Sequence, residues 1–107
     1  MNPSQVLTYI TTIVSGVSPP EGHKIHDAFA IQTQEETLVV QLRFAPGGLL
    51  WGKLPGDEVA LLPRRLFRVE ITEGIPLWSE VSLGSCNLTQ PINAWAYCPT
   101  KGLRNIA

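Results

Sequence analysis

The chain predicts an α+β fold in which an amino-terminal amphipathic helix precedes a curled antiparallel sheet, or small barrel, of about five to six strands. Three observations carry that expectation. Thr37–Phe44 alternates strictly, with Leu38, Val40, Leu42 and Phe44 on one side and Thr37, Val39, Gln41 and Arg43 on the other. Successive side chains of a strand point to opposite faces of its sheet, so this is the pattern of an antiparallel strand with one face buried. Residues 2–16 differ: Val6, Leu7, Ile10, Ile13 and Val14, extended by Val17, recur at spacings of three and four and form one apolar stripe of a helix. Turn-forming residues then punctuate the sequence at intervals of roughly ten residues, the rhythm of short consecutive strands. At 107 residues the chain is one domain, 1–107, long enough to bury a core without metal or disulfide staples.

Each element follows from local chemistry. Asn2 is suited to cap the helix, Pro3 to its first position and Gly16 to its end. The helix is rich in β-branched residues (Val6, Thr8, Ile10, Thr11, Thr12, Ile13, Val14), which lowers its intrinsic propensity, so it must dock on a sheet or on a second copy. Ser18-Pro-Pro-Glu-Gly22 breaks the helix and opens a loop over 18–22. The β-rich region then runs over 27–98. Its first strand is Asp27–Thr33, and Gln34-Glu-Glu36 makes a hairpin into Thr37–Phe44. Ala45–Gly48 is a turn, Leu49–Leu54 a third strand and Pro55–Asp57 another turn. Glu58–Leu62 reads as a short helical turn or irregular edge, halted by Pro63. Arg65–Ile71 is a strand and Thr72–Pro76 a loop. In Leu77–Leu83 the residues Leu77, Ser79, Val81 and Leu83 alternate with Trp78, Glu80 and Ser82, which puts Trp78 on the polar side. Ala94–Cys98 is the sixth strand, and the tail 99–107 is expected to be frayed or docked on a partner.

Composition narrows the function classes. Charged residues make up 16% of the chain, against roughly 25% in an average soluble protein, which suits a surface partly covered by another chain and makes a homo-oligomer an expectation. The formal net charge of −1 lacks the basic footprint of a protein living on duplex nucleic acid, so any such role must rest on a local patch. Met1–Val17 contains no Lys or Arg and so no charged leader segment, and no apolar run reaches the ~18–20 residues of a membrane helix. Together with only two cysteines, Cys86 and Cys98, this points to reduced thiols and a cytoplasmic location, where the Asn87-Leu-Thr89 glycosylation sequon is a chance match.

Candidate chemistry is sparse. His23, His26, Cys86 and Cys98 are zinc-ligand types, but the cysteines stand far apart rather than as a tight C-x2–4-C pair, so no metal site and no cofactor is expected. A turn at Pro91–Asn93 allows the two thiols to approach across a hairpin, although neither has a basic neighbour strong enough to mark an activated nucleophile. No serine sits in a nucleophile elbow, and His26 and Asp27 are adjacent rather than brought together from different elements. Gly47-Gly48 is not followed by the Lys-Ser/Thr of a phosphate loop, and no acidic-x-Lys element suggests a nuclease, so catalysis is not expected.

What remains is one basic strand. Arg64 and Arg68 share a face with Leu66 and Glu70, whereas Arg65 shares the other with Phe67, Val69 and Ile71; Arg43 and Lys53 on neighbouring strands join the first set, with Trp51 beside them. The expectation is a small non-catalytic interaction protein: an adaptor, assembly factor or accessory subunit whose partner is another protein or a second copy. Its binding surface is predicted to use Trp78, Trp51, Arg64 and Arg68, with Trp78 as an exposed aromatic anchor. The alternative is a small-barrel module that binds single-stranded nucleic acid through Arg43, Lys53, Arg64, Arg68 and Trp51.

Overall fold

Asn2 starts helix α1 (Pro3–Gly16) in the computed structural model, which describes residues 1–34, 37–48, 62–70, 76–84 and 91–106. The Asn2 side chain accepts from the Gln5 amide at 2.9 Å and the Gln5 side chain accepts from the Asn2 amide at 3.0 Å, a reciprocal cap that satisfies two end groups at once. Thr8, Thr11 and Thr12 donate their hydroxyls to the carbonyls of Ser4, Leu7 and Thr8. Such bonds satisfy the hydroxyls without strengthening the helix, so its stability comes from the stripe Val6, Ile10 and Ile13, which is fully buried. Val17 turns extended and the prolines that follow prevent continuation.

Six strands follow: β1 (His23–Gln34), β2 (Thr37–Pro46), β3 (Arg64–Glu70), β4 (Leu77–Val81), β5 (Asn93–Cys98) and β6 (Gly102–Asn105). They form one sheet in the order β4-β3-β2-β1-β5-β6, with every neighbouring pair antiparallel. The sheet-dominant α+β class therefore holds. Among the described residues β4 and β6 are the two edges and do not pair, so the sheet is open rather than closed into a barrel.

Element boundaries differ from the sequence reading in instructive places. β1 begins at His23, ahead of Asp27, because His23–Ile25 pair with Phe44–Pro46; a register shift between Ile25 and Asp27 breaks the alternation and hides this first stretch from a period-two reading. Part of the tail is not frayed: Gly102–Asn105 pairs with Trp95–Cys98 as β6. Its connection turns at Gly102, whose φ of +81° lies in the left-handed region that glycine enters without penalty, and the Lys101 amide donates to the Cys98 carbonyl at 3.0 Å. The expected strand Leu49–Leu54, the turn Pro55–Asp57 and most of Glu58–Leu62 lie outside the described residues, as do the hairpin residues Glu35 and Glu36.

One face of the sheet packs on α1. It presents Ala28 and Ala30 from β1, Leu38, Val40, Leu42 and Phe44 from β2, Phe67 and Val69 from β3 and Trp95 from β5, all essentially solvent-free. Small residues on the central strand β1 let the helix approach closely, and larger neighbours fill the flanks. Burying each Leu, Val or Phe here contributes ~1.5–3 kcal/mol relative to leaving it exposed.

The register also fixes the orientation of β4, which is opposite to the sequence expectation. Val69 pairs with Trp78 and Phe67 with Glu80, so both β4 residues point to the helix side, and Leu77, Ser79 and Val81 point away. Trp78 is partly buried against the core, its ring edge-on to Phe67 at 5.7 Å between centroids. Leu77 is left 66% exposed. An indole buries more apolar area than Leu77 or Val81, so the strand turns its tryptophan inward and tolerates Glu80 on the same side at the rim.

A basic-rimmed apolar face as the candidate functional site

The sheet face opposite α1 is assembled from alternate residues of all six strands. Antiparallel register lines them up in rows: Asp27–Arg43–Arg64, then Phe29–Gln41–Leu66, then Ile31–Val39–Arg68–Ser79. On the other side of β1, Phe29 adjoins Ala96, which pairs with Arg104 on β6, and Ile31 adjoins Ala94. Phe29, Ile31, Val39, Leu66 and Ala94, together with Gln41 and Ile106, line a shallow cavity of about 170 Å³ in the middle of the face. Val39, Leu66 and Ala94 are buried, whereas Arg64, Arg68 and Arg104 are exposed.

Arg43 and Asp27 stand at one edge of the cavity as a bidentate pair. The Arg43 Nε donates to Asp27 Oδ1 at 2.7 Å and its terminal nitrogen donates to the other carboxylate oxygen. The guanidinium also lies over the Phe29 ring at 4.7 Å, and His26 Nε2 stands 3.9 Å from the same carboxylate. This arrangement fixes the Phe29 ring and spends the charge of Arg43 on its neighbour.

Of the residues expected from sequence, Arg43, Arg64 and Arg68 do share this face. Trp51 and Lys53 lie outside the described residues. Trp78 belongs to the opposite side, at the edge of the core. Arg65 also faces the helix side, as its alternation requires. It donates to both carboxylate oxygens of Glu80, at 2.9 and 2.6 Å, and its guanidinium lies 5.5 Å from the Phe67 ring. The hydrogen bonds from Arg65 hold the Glu80 carboxyl below its ordinary pKa, and those to Glu80 raise that of Arg65. With the carboxyl depressed, the pair's contribution is present above the ordinary carboxylate range and is lost as pH falls through the folded value. Both side chains are well exposed, so that contribution is at most about 1 kcal/mol.

Phe29, Ile31, Val39 and Leu66 were not singled out as site residues in the sequence, and Asp27 was weighed only beside His26. A signal was nevertheless present: on three consecutive strands an apolar residue interrupts the polar face, as Val39 does beside Gln41 and Leu66 between Arg64 and Arg68. On β1 the bulky Phe29 and Ile31 alternate with Ala28 and Ala30, and it is the two alanines that face the helix.

A second cavity, of about 350 Å³, lies between the first turn of α1 and strands β5 and β6, lined by Pro3, Ser4, Leu7, Trp95, Leu103 and Asn105. It is larger, but it presents no charged side chain among the described residues. The Trp95 Nε1 is buried without an acceptor among the described residues, a cost the core carries.

Cys98 ends β5 and carries a free thiol. Burial opposes its ionisation, but the Thr100 hydroxyl at 3.2 Å, the backbone amides of Thr100 and Lys101 and the Lys101 charge outweigh burial and lower its pKa. A lowered pKa raises the thiolate fraction at neutral pH. Iodoacetamide should therefore label Cys98 with a pH–rate midpoint below that of a free cysteine peptide, and Thr100→Val should move the midpoint back up; mass spectrometry of the Cys98 peptide reads both. Neither His23 nor His26 joins it: no group of three His, Cys, Asp or Glu side chains is placed to hold a metal ion among the described residues, and Cys86 lies outside them. No helix among the described residues is long and apolar enough to cross a membrane. No family model, no curated relative and no solved structure matches the chain, so the meaning of this face has to come from the chemistry of the residues on it.

Proposed function

We propose that this chain is a non-catalytic interaction protein, an adaptor or accessory subunit, whose binding surface is the sheet face opposite α1. The observation that carries this reading is the apolar cavity at Phe29, Ile31 and Leu66, rimmed by Arg64 and Arg68, on a face that α1 does not cover. An apolar centre within a polar rim is the anatomy of a protein-binding patch. Low overall charge favours the same reading.

The nucleic-acid alternative has less support. Arg43 is tied to Asp27, and Phe29 is the only aromatic ring on the face among the described residues, whereas sequence-tolerant binding of single strands uses several stacking rings. The test is affinity purification of the tagged chain from its own host, with and without Ile31→Glu/Arg68→Glu. A polypeptide that co-purifies with the parent and with Ser15→Lys on the helix, but not with the face variant at unchanged melting temperature, supports the proposal. Loss of the same polypeptide from the Ser15→Lys variant alone overturns the assignment of the face, and co-purifying oligonucleotide in place of protein transfers the site to the alternative.

A further inference from the structure

Among the described residues, the indole Nε1 of Trp95 is the one buried side-chain polar atom without a hydrogen-bond partner. A buried indole N–H usually finds an acceptor, because leaving it unpaired costs its full desolvation. Trp95 is 1% exposed, so surface water does not serve the group. The same residue lines the cavity of about 350 Å³ between the first turn of α1 and strands β5 and β6. That volume falls within the ~300–1,000 Å³ of pockets that hold small-molecule ligands. Its walls are mainly apolar, formed by Pro3 and Leu7 from α1, Leu103 from β6 and Trp95 itself. Asn105, also in the wall, is fixed by donating its Nδ2 to Asn93 Oδ1 at 2.9 Å. Neither α1 nor β5 contains a charged residue, and Arg104 of β6 pairs with Ala96 on the other face of the sheet.

We propose that this cavity is a second binding site, on the helix side of the sheet, for a small, uncharged, largely apolar molecule that carries a carbonyl oxygen. The apolar body lies between Pro3, Leu7 and Leu103, and the carbonyl accepts the hydrogen bond of Trp95 Nε1. Each part of the ligand answers a property of the site. The apolar body matches the walls, and the carbonyl supplies the acceptor that the described residues do not offer the indole. A carboxylate would also accept the bond, but its charge would be taken out of water with no cation in the cavity wall to meet it. A hydrocarbon would fill the space and leave the indole unpaired. Leu7 is 38% exposed and marks the solvent side, from which the molecule enters.

The experiment is proton–nitrogen correlation NMR of the full chain, titrated with three probes of similar size: tetralone, tetralin and naphthoate. The Trp95 indole signal is the one missing from the spectrum of Trp95→Phe. Tetralone should bind saturably and move that signal downfield, the direction of a newly formed hydrogen bond. It should bind roughly threefold to tenfold more tightly than tetralin, the factor that one neutral hydrogen bond contributes. Trp95→Phe keeps a ring in the wall and removes the donor, so it should bind tetralone and tetralin equally. Leu7→Glu replaces an exposed side chain and should weaken both probes while the rest of the spectrum stays that of the folded parent. Ser15→Lys, at the far end of the helix, should leave both unchanged. Equal binding of tetralone and tetralin by the parent, with the Trp95 signal unmoved, overturns the carbonyl assignment. Tighter binding of naphthoate than of tetralone overturns the uncharged class. Binding that survives Leu7→Glu undiminished, or no saturable binding of any probe, overturns the site.

Discussion

Trp95→Ala should cost about 3–5 kcal/mol, a large share of the ~5–15 kcal/mol that holds a domain of this size together, and shift the urea midpoint accordingly without changing the slope of the transition. Trp95 is 1% exposed on β5, where it is paired with Ala30 of β1 on one side and Asn105 of β6 on the other. Its ring fills the space that two small residues, Ala28 and Ala30, leave beneath the helix stripe of Val6 and Ile10. Truncation therefore opens a cavity at the junction of α1, β1 and β5 that no neighbour is large enough to close. Trp95→Phe separates packing from polarity. It keeps a ring in place and removes the buried Nε1 that has no acceptor among the described residues, so relief of that unpaired donor offsets part of the lost volume. The expected cost of the phenylalanine variant is roughly 1–2 kcal/mol. A loss equal to that of Trp95→Ala would show that the indole N–H is paired and structurally required.

The helix and the central strands were legible in the sequence because each carries one strong period. Asn2 and Pro3 begin the helix, its apolar stripe is the buried one, and the alternation of Leu38, Val40, Leu42 and Phe44 gives the buried face of β2 directly. The ends of the sheet were less legible because period alone does not say which face is in. On β4 both sets contain apolar residues, Leu77 and Val81 against Trp78, and only pairing with β3 decides between them. On β6 the four residues Gly-Leu-Arg-Asn carry no alternation long enough to read, and the turn chemistry at Gly102 was the single local sign. The register shift at His26 hid the start of β1 in the same way. The candidate site follows this division. Arg64 and Arg68 were readable as one face of one strand, but the cavity between them and Phe29 exists only through cross-strand register, which sequence periodicity does not contain.

Trp78→Ala tests the reassignment of that side chain from exposed anchor to core edge, and it should cost about 2–4 kcal/mol rather than leave stability unchanged. The ring lies edge-on to Phe67 and also bears on the end of α1, where Gly16 leaves no room to spare. A Cβ on residue 16 would lie 2.8 Å from Trp78 Cζ2 and 3.1 Å from Cη2, so helix and ring fit only because residue 16 has no side chain. That contact gives a sign reversal. In the parent, Gly16→Ala should destabilise by about 1–3 kcal/mol, since the rigid indole must be displaced from Phe67 or the helix end must lift. In the Trp78→Ala background the obstacle is gone, and the same substitution should become neutral or stabilising by roughly 0.5–1 kcal/mol through the better helix propensity of alanine. A double-mutant cycle on urea denaturation measures the coupling, and additive effects would mean that the ring does not rest on the helix. Binding through the opposite face should survive Trp78→Ala wherever the variant is folded, because the indole and the Phe29 cavity lie on different sides of the sheet. Loss of binding in a folded Trp78→Ala variant would return the indole to the interface.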